Sequence, residues 1–231
     1  MPTLPTRISA FGPLLVLFGA VIMSAALTGT ATAGPLPTDP NALPGFKGSQ
    51  TLFSSTANGF TMTATVDFAV YAPGAVETSL ALGLPGFAMD PSLGTQYVYA
   101  YEVFNTSPTV GGAVIVASTV GLNLGFLPPG VTISHDATTP EGGVAPTNSS
   151  FSGTTSAAWN FGPLAIGAHS DILFFTMPYA PTYYVGGIQG GHGTIDSRSL
   201  PSPTPELGTA ALSAIAAVCL FAANRYRRRG V

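Results

Sequence analysis

The sequence predicts an all-β chain, folded as an antiparallel β-sandwich of the immunoglobulin-like or jelly-roll-like kind. Three observations lead to this prediction. Apolar residues recur with a period of two, short segments of this kind are separated by Gly- and Pro-rich turns, and no amphipathic helical pattern occurs between the two ends. Such short alternating segments are typical of two packed antiparallel sheets. Helices are expected only as flanking elements, an N-terminal signal helix and a C-terminal transmembrane helix.

The clearest strand pattern covers residues 60–70, where apolar residues at even positions alternate with threonines and Asp67. This alternation predicts a strand with one buried face. Residues 96–105 are largely apolar on both faces and are therefore expected in the middle of a sheet. Trp159 stands in a further strand pattern, so its indole is expected in the core between two sheets. The other predicted strands are 112–119, 131–134, 157–161, 172–177 and 183–188.

The N-terminal residues have the layout of a secretory signal peptide. Arg7 supplies a positive start, residues 11–27 are apolar apart from Ser24, and Ala31-Thr32-Ala33 is a small-residue cleavage site with Ala31 and Ala33 at its key positions. Signal peptidase is thus an expected partner. The mature chain is expected to begin at Gly34, outside the cytoplasm.

The C-terminal residues combine a Pro/Ser/Thr-rich approach, the acid Glu206, an apolar run at 207–223 and a basic end. The run would span about 26 Å as a helix, close to the hydrocarbon thickness of a bilayer. Its positive flank is expected on the cytoplasmic side. Four residues form this predicted membrane stop: Arg225, Arg227, Arg228 and Arg229.

This three-part tail resembles the PEP-CTERM signal of bacterial exported proteins, with Pro203, Pro205 and Glu206 as its motif. The family usually has Pro-Glu-Pro, whereas Leu207 follows Glu206 here. The resemblance implies an exosortase-like membrane protease as partner, cleavage near Glu206 and only transient contact with the membrane. A permanent single-pass anchor is the alternative reading of the same segment.

The predicted organisation follows from these two ends and the strand patterns. It comprises a signal peptide at 1–33, an N-terminal extension at 34–50, the β-sandwich at 51–199, a linker with the sorting motif at 200–206, a transmembrane helix at 207–223 and a cytoplasmic tail at 224–231.

The charge and the cysteine content of the chain exclude some classes of partner and of stabilising bond. Between Gly34 and Glu206 the chain has two basic residues, Lys47 and Arg198, against ten acids, a formal charge of −8. This balance argues against nucleic acid as a partner, because a phosphate backbone requires clustered cations. Cys219 is the single cysteine and lies in the predicted span, so no intramolecular disulfide is expected. No metal or other cofactor is expected either.

Catalytic and metal-binding patterns are weak. Two tripeptides contain the residue types of a catalytic triad, Ser134-His135-Asp136 and His169-Ser170-Asp171. Neighbours on a strand point to opposite faces and cannot form the nucleophile–base–acid relay. A triad assembled across the fold, for example around His135, stays open as an alternative. Residues 190–196 begin like a calcium-binding repeat, with Ile195 in the acid position. Calcium bound by loop carboxylates is a second open alternative, and the candidates are Asp90, Asp136 and Asp196.

The first function hypothesis is therefore a non-enzymatic surface or extracellular-matrix protein. A carbohydrate-binding module that contacts exopolysaccharide is the second, with Tyr179, Tyr183 and Tyr184 as a candidate ligand platform beside Pro178 and Pro181. A secreted hydrolase whose site assembles from distant residues is the third. Two glycosylation sequons also occur, at Asn105 and Asn148.

Overall fold

The structure is a computed structural model that describes residues 36–76, 90–136 and 143–204. Within these ranges the chain forms ten strands and two short 3-10 turns, Leu36–Thr38 and Gly191–Gly193. The strands are β1 (Lys47–Ala57), β2 (Phe60–Tyr71), β3 (Tyr97–Asn105), β4 (Ile115–Gly121), β5 (Ile133–Asp136), β6 (Pro146–Ser152), β7 (Ser156–Leu164), β8 (Ile172–Met177), β9 (Pro181–Gly190) and β10 (Ile195–Pro203).

The strands form two five-stranded antiparallel sheets. Sheet 1 has the order β1-β2-β3-β8-β5, and sheet 2 has the order β10-β9-β4-β7-β6. Asn58 and Gly59 connect β1 to β2, and both have positive φ angles, 52° and 81°. A two-residue turn of this kind matches the twist of the strands on either side. For the described residues, the prediction of a mostly β structure with two antiparallel sheets is therefore confirmed.

One core lies between the two sheets. Tyr101 and Phe175 of sheet 1 and Trp159 of sheet 2 are each almost fully buried there. The ring centroid of Trp159 lies 6.0 Å from that of Tyr101 and 6.2 Å from that of Phe175. The predicted core position of Trp159 is confirmed.

A second apolar cluster covers the outer face of sheet 1. Leu36 and Ala42 come from the chain before β1, and Val76 comes from the chain after β2. They pack on outward-facing residues of sheet 1, namely Ala69, Tyr71, Val98, Ala100, Ile172 and Phe174. Sheet 1 is thus buried on both faces over this region, which explains why both faces of β3 are apolar. β3 lies at the centre of sheet 1, as its sequence predicts.

Each of the seven predicted strands corresponds to an observed strand, whereas β1, β6 and β10 were not predicted. All three are edge strands of their sheets. They have polar sequences because an edge strand buries fewer side chains. β10 continues to Pro203, through residues for which the sequence predicts a linker, and β1 begins at Lys47 within the predicted extension. An edge strand tolerates Pro201 and Pro203 because one side of its backbone needs no sheet partner.

The predicted flanking helices lie outside the described residues, as do the boundaries predicted for them. Among the residues that the structure describes, no helix has the length and apolar character needed to cross a membrane.

Candidate functional site

Most residues predicted for export and sorting lie outside the described ranges. They are Ala31, Ala33, Pro205, Glu206, Arg225, Arg227, Arg228 and Arg229. Pro203 is described and is the last residue of β10, where it is buried opposite Pro181 of β9. The next residue, Thr204, donates its backbone N–H to the Ala180 carbonyl at 3.2 Å. The chain is therefore held to sheet 2 up to the residue before Pro205.

Of the three candidate platform tyrosines, Tyr183 is anchored by contacts with other parts of the fold. Its ring stacks on Phe46 with 5.4 Å between centroids and meets Phe68 edge-on at 6.2 Å. Its hydroxyl donates a 2.8 Å hydrogen bond to the Gly45 carbonyl, and burial raises the pKa of this hydroxyl. The ring is still 46% exposed. Tyr183 thus joins β9 to the segment that precedes β1.

Tyr184 and Tyr179 lie in different surroundings. A Cβ atom at Gly121 would lie 3.0 Å from Cδ1 of Tyr184, so the Tyr184 ring occupies the space over this glycine. Gly121 lies between core residues Val120 and Leu122 and therefore faces away from the core. Tyr179 packs partly buried against the core. Tyr184 is the register partner of the core residue Leu200, and its ring lies over Gly121 at the end of β4.

The outer face of sheet 2 consists of uncharged residues in register across all five strands. We call this surface the open face and define it by two rows of five residues each. The first row is Asn148, Asn160, Ala117, Gln189 and Ile195. The second row is Ser150, Ala158, Thr119, Gly187 and Ser197. Apart from Ala117, these residues are exposed or half-buried.

Sequence reasoning missed the open face because two of its strands, β6 and β10, were not predicted. A signal was present in the alternation itself. In β6, Asn148, Ser150 and Ser152 alternate with positions that include Phe151, and in β10, Ser197 and Ser199 alternate with positions that include Leu200. A weak period of two in a polar segment thus indicates an edge strand with a solvent-facing polar row.

The two triad-like tripeptides are brought together through one crossed pair. Nδ1 of His135 lies 2.9 Å from Oδ2 of Asp171, so the histidine of one motif pairs with the acid of the other. The Ser170 hydroxyl is held by backbone, because it accepts from the Val103 N–H and donates to the Asp171 carbonyl. The geometry therefore gives a His–Asp pair, which can orient an imidazole, with Ser170 committed elsewhere.

A second histidine–acid pair belongs to a polar row on the outer side of sheet 1. Ser49, Asp67 and Glu102 are register partners on β1, β2 and β3, and the Ser49 hydroxyl donates to Asp67. Nδ1 of His169 lies 2.8 Å from Oε1 of Glu102, and the His169 ring stacks on Phe104. Asp67 and Glu102 are both almost fully buried. The row therefore places two buried carboxyl groups side by side, with Ser49 in contact with Asp67 and His169 in contact with Glu102.

Two of the three calcium candidates, Asp90 and Asp196, accept hydrogen bonds within the fold. Asp90 accepts from Ser92 and from the Gly94 N–H, which closes the loop before β3. Asp196 accepts from the Ser54 N–H and pairs with Arg198. Within residues 36–76, 90–136 and 143–204, no group of three His, Cys, Asp or Glu side chains is placed to hold a metal ion.

No protein-family model, curated protein or solved structure matches this chain.

Proposed function

We propose that this chain is a non-enzymatic exported protein of the cell surface or extracellular matrix, whose two-sheet domain is released from the membrane by cleavage of its tail. The domain is a β-sandwich of the immunoglobulin-like or jelly-roll-like kind. The observation that carries the proposal is the end of β10 at Pro203, two residues before Pro205 of the sorting motif.

The position of this strand end matters because β10 contributes to the fold. Leu200 belongs to the core, and the Ser202 hydroxyl donates to the Gly121 carbonyl on β4. The backbone pairs between β10 and β9, from Ile195 to Pro203, all lie upstream of Pro205 and Glu206. A cut near Glu206 would therefore leave sheet 2 intact and separate it from the apolar run.

The remaining parts of the proposal follow from the sequence. A leader that ends at Ala33 directs export and is removed by signal peptidase. The apolar run at 207–223 is then held briefly in the membrane by the arginines that follow it. An exosortase-like protease cuts the chain on the outer side of the membrane. The mature domain, with a formal charge of −8, takes no nucleic acid as partner. Permanent anchoring by the same run is the alternative.

The proposal is tested by fractionating the protein from its native host and from a host that lacks exosortase. Release is expected in the native host, and membrane retention is expected in the other. Substituting Pro205→Ala together with Glu206→Ala should block release in the native host. Thr204→Ala is the matched control, because it changes the residue between Pro203 and Pro205 while keeping the three motif residues, and it should leave release unchanged. Equal membrane retention in both hosts would support the permanent anchor instead.

Carbohydrate binding is a second candidate function, and one observation favours it. The Tyr184 ring is 43% exposed and lies over Gly121 at the margin of the open face. Exposed aromatic rings beside polar side chains are a common way to hold a sugar ring, since the ring face is apolar and the rim is hydroxylated.

A further inference from the structure

We propose that the open face of sheet 2 is a binding surface for a neutral, hydroxyl-rich polysaccharide chain. This inference concerns the surface of the folded domain and is independent of how the tail is processed. It differs from a platform of three tyrosines, because its contacts come from side chains in register on five strands and Tyr184 adds one ring at the margin.

The first step is charge. The two rows of the open face contain no Asp, Glu, Lys, Arg or His. The charged residues of β10, Asp196 and Arg198, pair with each other at 3.0 Å, and their positions alternate with those of the open-face residues Ile195 and Ser197. A polyanion such as nucleic acid or an acidic polysaccharide requires cations that this face lacks, and the acidic domain would repel it. Charge therefore favours a neutral occupant.

The second step is hydrogen bonding. Asn148, Asn160 and Gln189 are exposed and lie in one row, and each amide has both donors and an acceptor. Ser150 and Ser197 add hydroxyls to the next row. Neighbouring strands lie about 4.8 Å apart, so the row presents polar groups at intervals comparable with the length of a sugar unit. Groups that both donate and accept match sugar hydroxyls, which also do both.

The third step is shape. Ala117 is at the centre of the first row, and Ala158 and Gly187 lie on either side of Thr119 in the second row. The middle of the face therefore has mostly short side chains, and a polymer can approach the backbone closely. Gly121 permits the Tyr184 ring to lie at the margin, because any Cβ there would clash with it and with the Val185 carbonyl. The result is a flat polar surface with an aromatic border.

A protein partner fits this surface less well. The central part of a protein interface is usually enriched in aromatic and other large apolar residues. On the open face the exposed large apolar residue is Ile195, at the β10 edge, with Val185 on the neighbouring strand. A second copy of the chain is therefore treated as an alternative outcome of the test.

The test is affinity electrophoresis of the full chain, kept soluble with a polyoxyethylene detergent, in native gels that contain a soluble polysaccharide. Hydroxyethylcellulose, pullulan and laminarin are the neutral probes, and carboxymethylcellulose is the acidic counterpart of the first. We expect retardation by at least one neutral probe, none by carboxymethylcellulose, and no weakening at high salt. Absence of retardation by all three neutral probes would overturn the proposal, as would stronger retardation by the acidic one.

Variants assign any binding to the open face. Asn160→Ala with Gln189→Ala removes two amides, and we expect binding to weaken by about tenfold, the loss of roughly two modest hydrogen bonds. Ala158→Glu places a charge at the centre and should abolish binding. Val110→Glu is the matched charge control, since Val110 is 91% exposed in the loop between β3 and β4, and it should bind normally.

Two further comparisons complete the test. Tyr184→Ala should weaken binding, whereas Tyr183→Phe should not. Thermal unfolding of each variant establishes that the fold is retained. Unchanged polysaccharide binding in the double amide variant, in Ala158→Glu and in Tyr184→Ala would overturn the assignment of binding to the open face. A dimer that Ala158→Glu converts to monomer, with no polysaccharide bound, would identify the face as an interface between copies and contradict the proposal.

Discussion

The indole Nε1 of Trp159, on β7 of sheet 2, donates a 2.9 Å hydrogen bond to the carbonyl of Ser134, on β5 of sheet 1. The same ring is fully buried and contacts Tyr101 and Phe175 across the core. One side chain thus combines apolar packing with a polar link between the sheets.

Trp159→Ala is expected to destabilise the domain by about 3 to 5 kcal/mol, because it leaves a large cavity and an unpaired carbonyl. Trp159→Phe keeps most of the packing and loses the N–H, so its cost should be smaller by about half. The free energy of unfolding in urea measures both. If the two variants are equally stable, the indole is not the contact that joins the sheets.

The two sequons give a matched pair of asparagines. Nδ2 of Asn105 donates to the carbonyls of Ala113 and Leu164, and its Oδ1 accepts from the Ser107 N–H. Asn105→Ala should therefore cost about 2 to 4 kcal/mol, since several buried backbone groups lose their partner. Asn148→Ala, on the exposed edge strand β6, should change the free energy of unfolding by less than about 0.5 kcal/mol. A similar effect of both substitutions would contradict this distinction.

Most of the fold is predictable from apolar periodicity, because buried strands have the strongest patterns. β2 and β3 are predicted correctly for this reason, and the two apolar faces of β3 predict its position in the middle of sheet 1. β1, β6 and β10 are not, because these three edge strands are rich in Ser, Thr or Pro and have the composition of loops. Only pairing with a neighbour identifies them.

Site geometry is less predictable than strands, because it depends on register between distant residues. In the sequence His135 is next to Asp136, and His169 is two residues before Asp171. Folding instead pairs His135 with Asp171 and His169 with Glu102. The row from Ser49 to Glu102 likewise exists only when β1, β2 and β3 are aligned. The order of residues along one strand does not indicate which residues of other strands they will contact.

These two histidine pairs allow a direct comparison of burial. The side chain of His169 is 12% exposed and that of His135 is 31% exposed, while each paired carboxylate is 3% exposed. His169→Ala should cost about 3 kcal/mol, because it removes one partner of the buried Glu102, and His135→Ala should cost about 1 kcal/mol. Urea unfolding at neutral pH measures both. A larger cost for His135→Ala would show that the Glu102 pair contributes less than its burial indicates.

Alkaline pH should unfold the domain through its buried tyrosines. Burial raises the pKa of Tyr99, Tyr101 and Tyr71, and Asp39 adds to the effect for Tyr71, whose hydroxyl donates to it. The folded state keeps these protons while the unfolded state loses them near pH 10. The stabilising contribution is therefore complete below about pH 10 and declines above it, by about 1.4 kcal/mol per pH unit for each tyrosine and about 4 kcal/mol per unit for three.

The measurement is the free energy of unfolding between pH 8 and about pH 11.5, where the decline should be visible. Tyr99→Phe serves as the control, because it removes one titrating group and should reduce the slope by about a third, whatever its effect on absolute stability. A slope that does not change in this variant would mean that another group causes the alkaline loss.

The intact mass of the protein purified from its native host tests the central proposal, that the sheets form a complete domain separated from its membrane tail by processing. We predict a chain that begins at Gly34 and ends near Glu206, recovered outside the membrane fraction. A chain that still contains Met1, or one that keeps Arg225 to Arg229 and fractionates with membranes, would contradict the proposal.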